Sequence, residues 1–173
     1  SPSTNRSWLS ELVAFLALSW SDDAPPPDRL MKTAEQAGLT GLLIGSRGWI
    51  GVGGPRPPRL HDLRGGLIVV GDLFETGDAP RPNHAGRLGR LRGLTRSHWG
   101  RYVALDRDSD GGLRAVLRDP SGAFEVATWR ALDVCVISTD TPDWLMQAAP
   151  PALRIDWSGV PALIGDPQAA LSQ

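Results

Sequence analysis

The stretch ALDRDSDGGLRAVLRDPSG, Ala104 to Gly122, carries Asp106, Asp108 and Asp110 at alternate positions, with Gly111 directly after them. That spacing opens a calcium loop of the EF-hand type, so the first question is whether anything closes one. Calcium takes about six to eight oxygens, and such a loop ends on a bidentate glutamate. Here Arg114 and Leu117 stand where late ligands would be needed. Beyond Gly112, Leu113, Ala115 and Leu117 alternate with Arg114, Val116 and Arg118, which is strand periodicity where a calcium loop would enter a helix. RYVALDR, before the acids, also favours extended backbone. Asp-Ser-Asp-Gly-Gly between two strands therefore reads as a β-hairpin turn, since Asp and Gly tolerate the left-handed conformations that such turns need. The three aspartates are expected to be a solvated turn, and no metal is assigned to them.

The 173 residues suffice for one domain with a sizeable core. Formal net charge is −1, and Lys32 is the one lysine among 18 basic residues. The arginines are scattered, so nothing draws the chain as a whole to nucleic acid. Cys135 is the single cysteine, which excludes an intrachain disulfide and an all-cysteine zinc site. It lies in the apolar run DVCVIS and is expected to be a buried, inert thiol. The apolar run LVAFLALSW is about half a bilayer span, so a cytoplasmic protein without a membrane segment is expected.

Working outward, Leu12 to Trp20 reads as a buried strand, and DRLMKTAEQAGL as a helix with Gly41 as its stop. GLLIGS, GWIGVG and GGLIVVGDLF are strand candidates, with the proline-rich GPRPPRLHDLRG a loop or edge connection. Asn83 to Ser97 places Leu88, Leu91 and Leu94 at helical spacing, with solvated arginines opposite, though Gly86, Gly89 and Gly93 weaken it. After the hairpin come two strands, GAFEVATW and DVCVIST, then a short helix capped by a Thr or Asp near Thr139. These elements, about eight strands and two or three helices, predict an α+β domain with antiparallel sheets.

The sequence shows no phosphate loop, no dinucleotide fingerprint and no Gly-x-Ser-x-Gly elbow. His61, His84 and His98 are dispersed, and His61 and Asp62 are expected at the surface. The seven tryptophans fall singly and are expected to pack in or against the core. From residues alone no catalytic site and no metal site is assigned.

The order of the pieces adds more. GGLIVVGDLFETGD, then HWGRYVALDRDSDGGLRAVLRDPSGAFEVATW, then DVCVISTDTPDWL, resembles the N-terminal domain of asparagine-synthetase-related enzymes. The matching positions are Gly71 and Asp72 with Leu73 and Phe74, Gly100 with Arg101 to Ala104, then Arg118, Asp119 and Gly122, and finally Ile137 to Asp140. The resemblance runs from Leu12 to about Asp166 and implies an N-terminal-nucleophile (Ntn) hydrolase architecture, a four-layer αββα sandwich of two antiparallel sheets. It further implies a glutamine-amidotransferase-like domain over 1–155 and, over 156–173, a linker into a C-terminal ATP-dependent synthetase domain.

A working member of that family uses an N-terminal cysteine to take ammonia from glutamine, with its α-amine as base and an Asn-Gly pair as oxyanion hole. No cysteine stands near the start here, and Val70 occupies the place of the oxyanion asparagine. A valine side chain cannot donate a hydrogen bond to a developing oxyanion. Arg47 aligns with the arginine that holds the substrate carboxylate, and is equally readable as a surface arginine at a strand start. The chain thus resembles a degenerate glutaminase domain, and GRYVAL, LRDPSG and TPDWL are most similar to the lasso-peptide macrolactam synthetases. Those enzymes adenylate a peptide side-chain carboxylate, which the peptide's own amine attacks, so external ammonia is unnecessary. The resemblance implies ATP and magnesium in the C-terminal domain and none in this chain. Implied partners are that synthetase domain, a precursor peptide, and a leader-binding or protease protein. An asparagine-synthetase or β-lactam-synthetase domain, a stand-alone amidase using Ser1, and a peptide-binding module remain as alternatives.

Overall fold

The computed structural model describes residues 13–63, 65–77 and 87–152. Ser1, His84 and the tail from Asp156 lie outside them. The described elements are, in order, β1 (Phe15–Trp20), α1 (Asp28–Gln36), β2 (Thr40–Leu43), β3 (Gly48–Val52), β4 (Leu60–Leu63), β5 (Leu67–Glu75), α2 (Arg87–Ser97), β6 (His98–Arg107), β7 (Leu113–Arg118), β8 (Ala127–Ala131), β9 (Val134–Ser138) and α3 (Asp143–Ala148). They form an α+β fold with two antiparallel sheets, ordered β2-β3-β1-β9-β8 and β4-β5-β6-β7.

β1 is buried along its whole length because both of its faces are covered. Leu16, Leu18 and Trp20 pack with Leu30 and Ala34 of α1 and Leu145 of α3. Phe15 and Ala17 point the other way, into a core shared with Ile68 and Val70 of β5 and Val103 and Leu105 of β6. Odd-numbered β5 residues, Leu67 and Val69, join Tyr102 and Ala104 beneath Leu91 and Leu94 of α2. Strict side-chain alternation along a strand lets β5 and β6 feed two cores at once.

Several local expectations need correction. α1 ends at Gln36 and leaves through Gly38 (φ 95°), whereas Gly41 lies within β2. α2 persists through Gly89 and Gly93, each of which costs about 1 kcal/mol of helix propensity. Burial of Leu91 and Leu94 outweighs that cost. α3 starts after Pro142 with no side-chain cap. The strand expected from Gly122 begins only at Ala127, because Asp119 captures the amides of the preceding loop.

The acidic hairpin is the largest correction. β6 and β7 pair as expected, with a register shift between Asp106 and Arg107, but the aspartates are not a solvated turn. Asp106 is 0 % exposed, and its Oδ1 accepts a 2.6 Å hydrogen bond from Nη2 of Arg90 on α2. Asp108 keeps only 8 % of its side chain exposed. Its Oδ1 accepts from the backbone N–H groups of Asp110 (3.0 Å) and Gly112 (2.8 Å), and its Oδ2 from Arg47 Nη2 (2.5 Å). Only Asp110 is exposed. Correspondingly, Arg90 is an ion-pair partner where a solvated helix face was expected.

Candidate functional site at an arginine-rimmed cleft

Between the two sheets, at the end where β1 begins, lies a cleft of about 650 Å3. Its walls come from four places: Ala14 and Thr139 directly flanking β1 and β9, Gly71, Asp72 and Arg101 from the β5–β6 ribbon, Arg56 to Arg59 from the proline-rich connection, and Ala123 to Glu125 from the loop after Asp119.

Each wall has a local cause. Gly71 (φ 124°) and Gly100 (φ 141°) sit on facing strands, two ladder steps apart. A Cβ on Gly71 would run into the Arg101 carbonyl, and one on Gly100 into the Asp72 carbonyl. The two glycines therefore let the ribbon pass backbone against backbone, a close approach that other residues could make only with strain. The Gly71 N–H donates to the Arg59 carbonyl at 2.9 Å, which pins the proline-rich connection to β5. His61, expected at the surface, is half-buried instead, with Nε2 3.1 Å from the Gly71 carbonyl oxygen, while Asp62 is exposed and pairs with Arg107 at 3.2 Å.

The fourth wall hangs on Asp119, a buried carboxylate in the RDPSG turn. Its N–H donates to the Tyr102 carbonyl at 3.0 Å, tying the turn to β6. Its carboxylate accepts from the Ser121 hydroxyl, from Ser121 N–H at 2.9 Å and from Phe124 N–H at 3.3 Å. Burial alone would raise this carboxyl, but the Ser121 hydroxyl and the Phe124 and Ser121 amides outweigh it and hold the pKa below the ordinary range. Asp119 is thus the hook that carries Phe124 and Glu125 into the cleft. Gly122, with φ 65°, completes that turn, and Arg118 closes β7 just before it.

The family-like positions consequently meet around one cleft: Gly71 and Asp72 line it, Gly100 shapes it, and Arg118, Asp119 and Gly122 form the turn feeding its fourth wall. Arg47 does not line it. It lies at the opposite end of β1, where its carbonyl accepts from Trp20 N–H and its guanidinium meets Asp108 at 2.5 Å and Asp22 at 2.9 Å. Val70, one residue before Gly71, is 0 % exposed and belongs to the core between the sheets. Cys135 is half-buried, and burial, opposed in part by Arg130, raises its thiol pKa.

As chemistry, the described lining of the cleft offers charges and no cysteine or serine. The one hydroxyl of its described lining, on Thr139, is already engaged, accepting from the N–H groups of Ala14 (3.1 Å) and Phe15 (3.2 Å). Asp72 and Arg101 pair across the ribbon at 3.4 Å. Arg56 and Arg59 are exposed and make no ion pair among the described residues, nor does Glu125 on the facing wall. No group of three or more His, Cys, Asp or Glu able to hold a metal occurs among the described residues, and no described helix is long and apolar enough to cross a membrane.

No protein-family model matches the chain, and a search of curated proteins finds no match.

Sequence reasoning missed Arg56, Arg59 and Glu125. The first pair was readable: two arginines bracketing Pro57-Pro58 in a connection too proline-rich for a central strand, hence exposed and stiff. Glu125 carried no such signal.

Proposed function

We propose that this chain is a degenerate glutaminase-like domain of an ATP-dependent amide-forming ligase, nearest to the lasso-peptide macrolactam synthetases, and that it is not itself catalytic. The observation that carries this reading is the convergence of the family-like positions on one cleft whose described lining holds no cysteine, serine or asparagine. The residue in the oxyanion donor's place, Val70, is a core valine, and the one hydroxyl of the cleft's described lining is engaged with backbone amides. Helices α1 and α3 against one sheet and α2 against the other support a four-layer αββα arrangement of the Ntn-hydrolase kind. In such a ligase, ATP and magnesium serve the adenylating domain, and the amine comes from the substrate peptide. The domain's contribution is then docking and peptide handling. An apolar groove of about 1040 Å3 between α1 and α3 suits the docking part, because Pro151 and Ala152 line it where the chain heads toward the expected ligase domain.

Sequencing the reading frame beyond Gln173 tests this directly. The expected result is a downstream Ser-Gly-Gly-x-Asp-Ser pyrophosphate loop in the same frame or in an adjacent gene. The purified chain is also expected to release no ammonia from glutamine and to gain no mass from a glutamine-derived diazoketone. Ammonia release, or a neighbourhood without any adenylating ligase, overturns the reading.

A further inference from the structure

The cleft does not end at Asp72 and Arg101. Along β5, Leu73 packs on the α2 side, so Asp72 and Phe74 share the opposite face, and their partners across the ladder are Arg101 and Trp99. Phe74 and Trp99 stack with ring centroids 4.6 Å apart, yet they are 49 % and 59 % exposed. The ribbon thus extends the cleft into a shelf: a compensated Asp72–Arg101 pair, then a bare aromatic pair one pleat further. On the other side stand Arg56 and Arg59, exposed, held by Pro57-Pro58 and by the Gly71-to-Arg59 hydrogen bond.

Exposed Trp, and Arg without an ion pair among the described residues, are together the residue types that dominate binding energy at interfaces. Stiff supports matter too, because groups fixed in advance lose little entropy on binding. We propose that this surface binds an extended acidic peptide, its carboxylates on Arg56 and Arg59 and an apolar side chain on the Phe74–Trp99 stack. In an extended peptide an acid and an apolar residue two positions apart lie on one face, about 7 Å from each other. Glu125 on the facing wall and a net charge of −1 disfavour a polyphosphate chain, which would bring a phosphate to every position. The proposal stands on this surface and does not require the ligase reading.

The test is calorimetric titration of the 173-residue chain with a synthetic peptide of repeating Asp-Ser-Phe-Ser, its Asn-Ser-Phe-Ser counterpart, and single-stranded oligouridylate. The acidic peptide is expected to saturate, to weaken as salt rises, and to lose about tenfold in affinity both in R56Q/R59Q and in Trp99→Ala. All three positions are exposed, so the variants should keep the wild-type unfolding midpoint, which is measured alongside. Absence of saturable binding, equal affinity for the asparagine peptide, unchanged affinity in both variants, or tighter binding of oligouridylate each overturns the proposal.

Discussion

The two ends of the space between the sheets are built from the same residue types and use them in opposite ways. At the hairpin end, Asp108 is surrounded by Arg47, Arg114 at 3.3 Å and two backbone amides, and Leu113 N–H donates to Ser19 Oγ at 2.9 Å, locking β7 to β1. At the cleft end, Arg56, Arg59 and Glu125 make no ion pair among the described residues, and two aromatic rings face solvent. One end satisfies its charges internally and acts as a clasp. The other leaves them available to a ligand. Proximity of opposite charges in a sequence therefore says little about function until the backbone decides which of them meet.

The sharpest way to break this contrast is to remove one arginine from each end. Arg47→Ala leaves the mostly buried Asp108 carboxylate without its nearest cation, and stability is expected to fall by about 3 kcal/mol in urea unfolding. R56Q/R59Q removes two arginines but no internal partner, and is expected to change stability by less than about 0.5 kcal/mol. Equal costs at both ends would abolish the distinction between clasp and binding surface.

A second experiment asks whether the cleft end, although open, rests on a fixed backbone. Gly71→Ala places a methyl group against the Arg101 carbonyl at φ 124°, and about 2 kcal/mol should be lost. Peptide affinity should fall with it, because the ribbon that presents Phe74 and Trp99 must shift. If stability drops while affinity does not, the shelf is not held by the glycine-paired ribbon.

The contrast also explains what was legible in advance. Strand periodicity revealed the hairpin, because alternating Leu113, Ala115 and Leu117 reports burial on one face wherever that face is covered. β1 was legible as a predominantly apolar run for the complementary reason: both of its faces are covered. The fate of the aspartates was not legible, since Arg90 and Arg47, which bury Asp106 and Asp108, are distant in sequence and brought close only by the sheets. Arg47 was readable as a substrate anchor for the same reason, as nothing local to it shows the carboxylates of the hairpin. Trp99 looked like a core residue by type. Its exposure follows from the β5–β6 ribbon running past the residues that cover its other end, a property of strand length in three dimensions and not of composition.

Acid should read out the same difference on a finer scale, because each end depends on one carboxylate with a lowered pKa. For Asp108, burial pushes the pKa up, but the Gly112 and Asp110 amides, Arg47 and Arg114 bring it below the ordinary value. Asp119 at the cleft end is lowered in the same sense by its hydroxyl and amide partners. As pH falls past the ordinary carboxylate value of about 4, the unfolded chain takes up protons before the folded one does, so stability present above that pH is lost as the folded groups titrate. Asp108→Asn and Asp119→Asn should each be less stable than wild type at neutral pH and converge with it in acid, as followed by urea midpoints across the pH range. Curves that stay parallel would mean that neither carboxylate carries the acid dependence. Binding then separates the two ends: Asp119→Asn frees the loop that forms the cleft's fourth wall and should change the affinity for the acidic peptide, whereas Asp108→Asn, at the far end of β1, should leave it unchanged. A clasp can loosen without disturbing the surface it does not touch, and this pair of variants measures whether the two ends are independent in that sense.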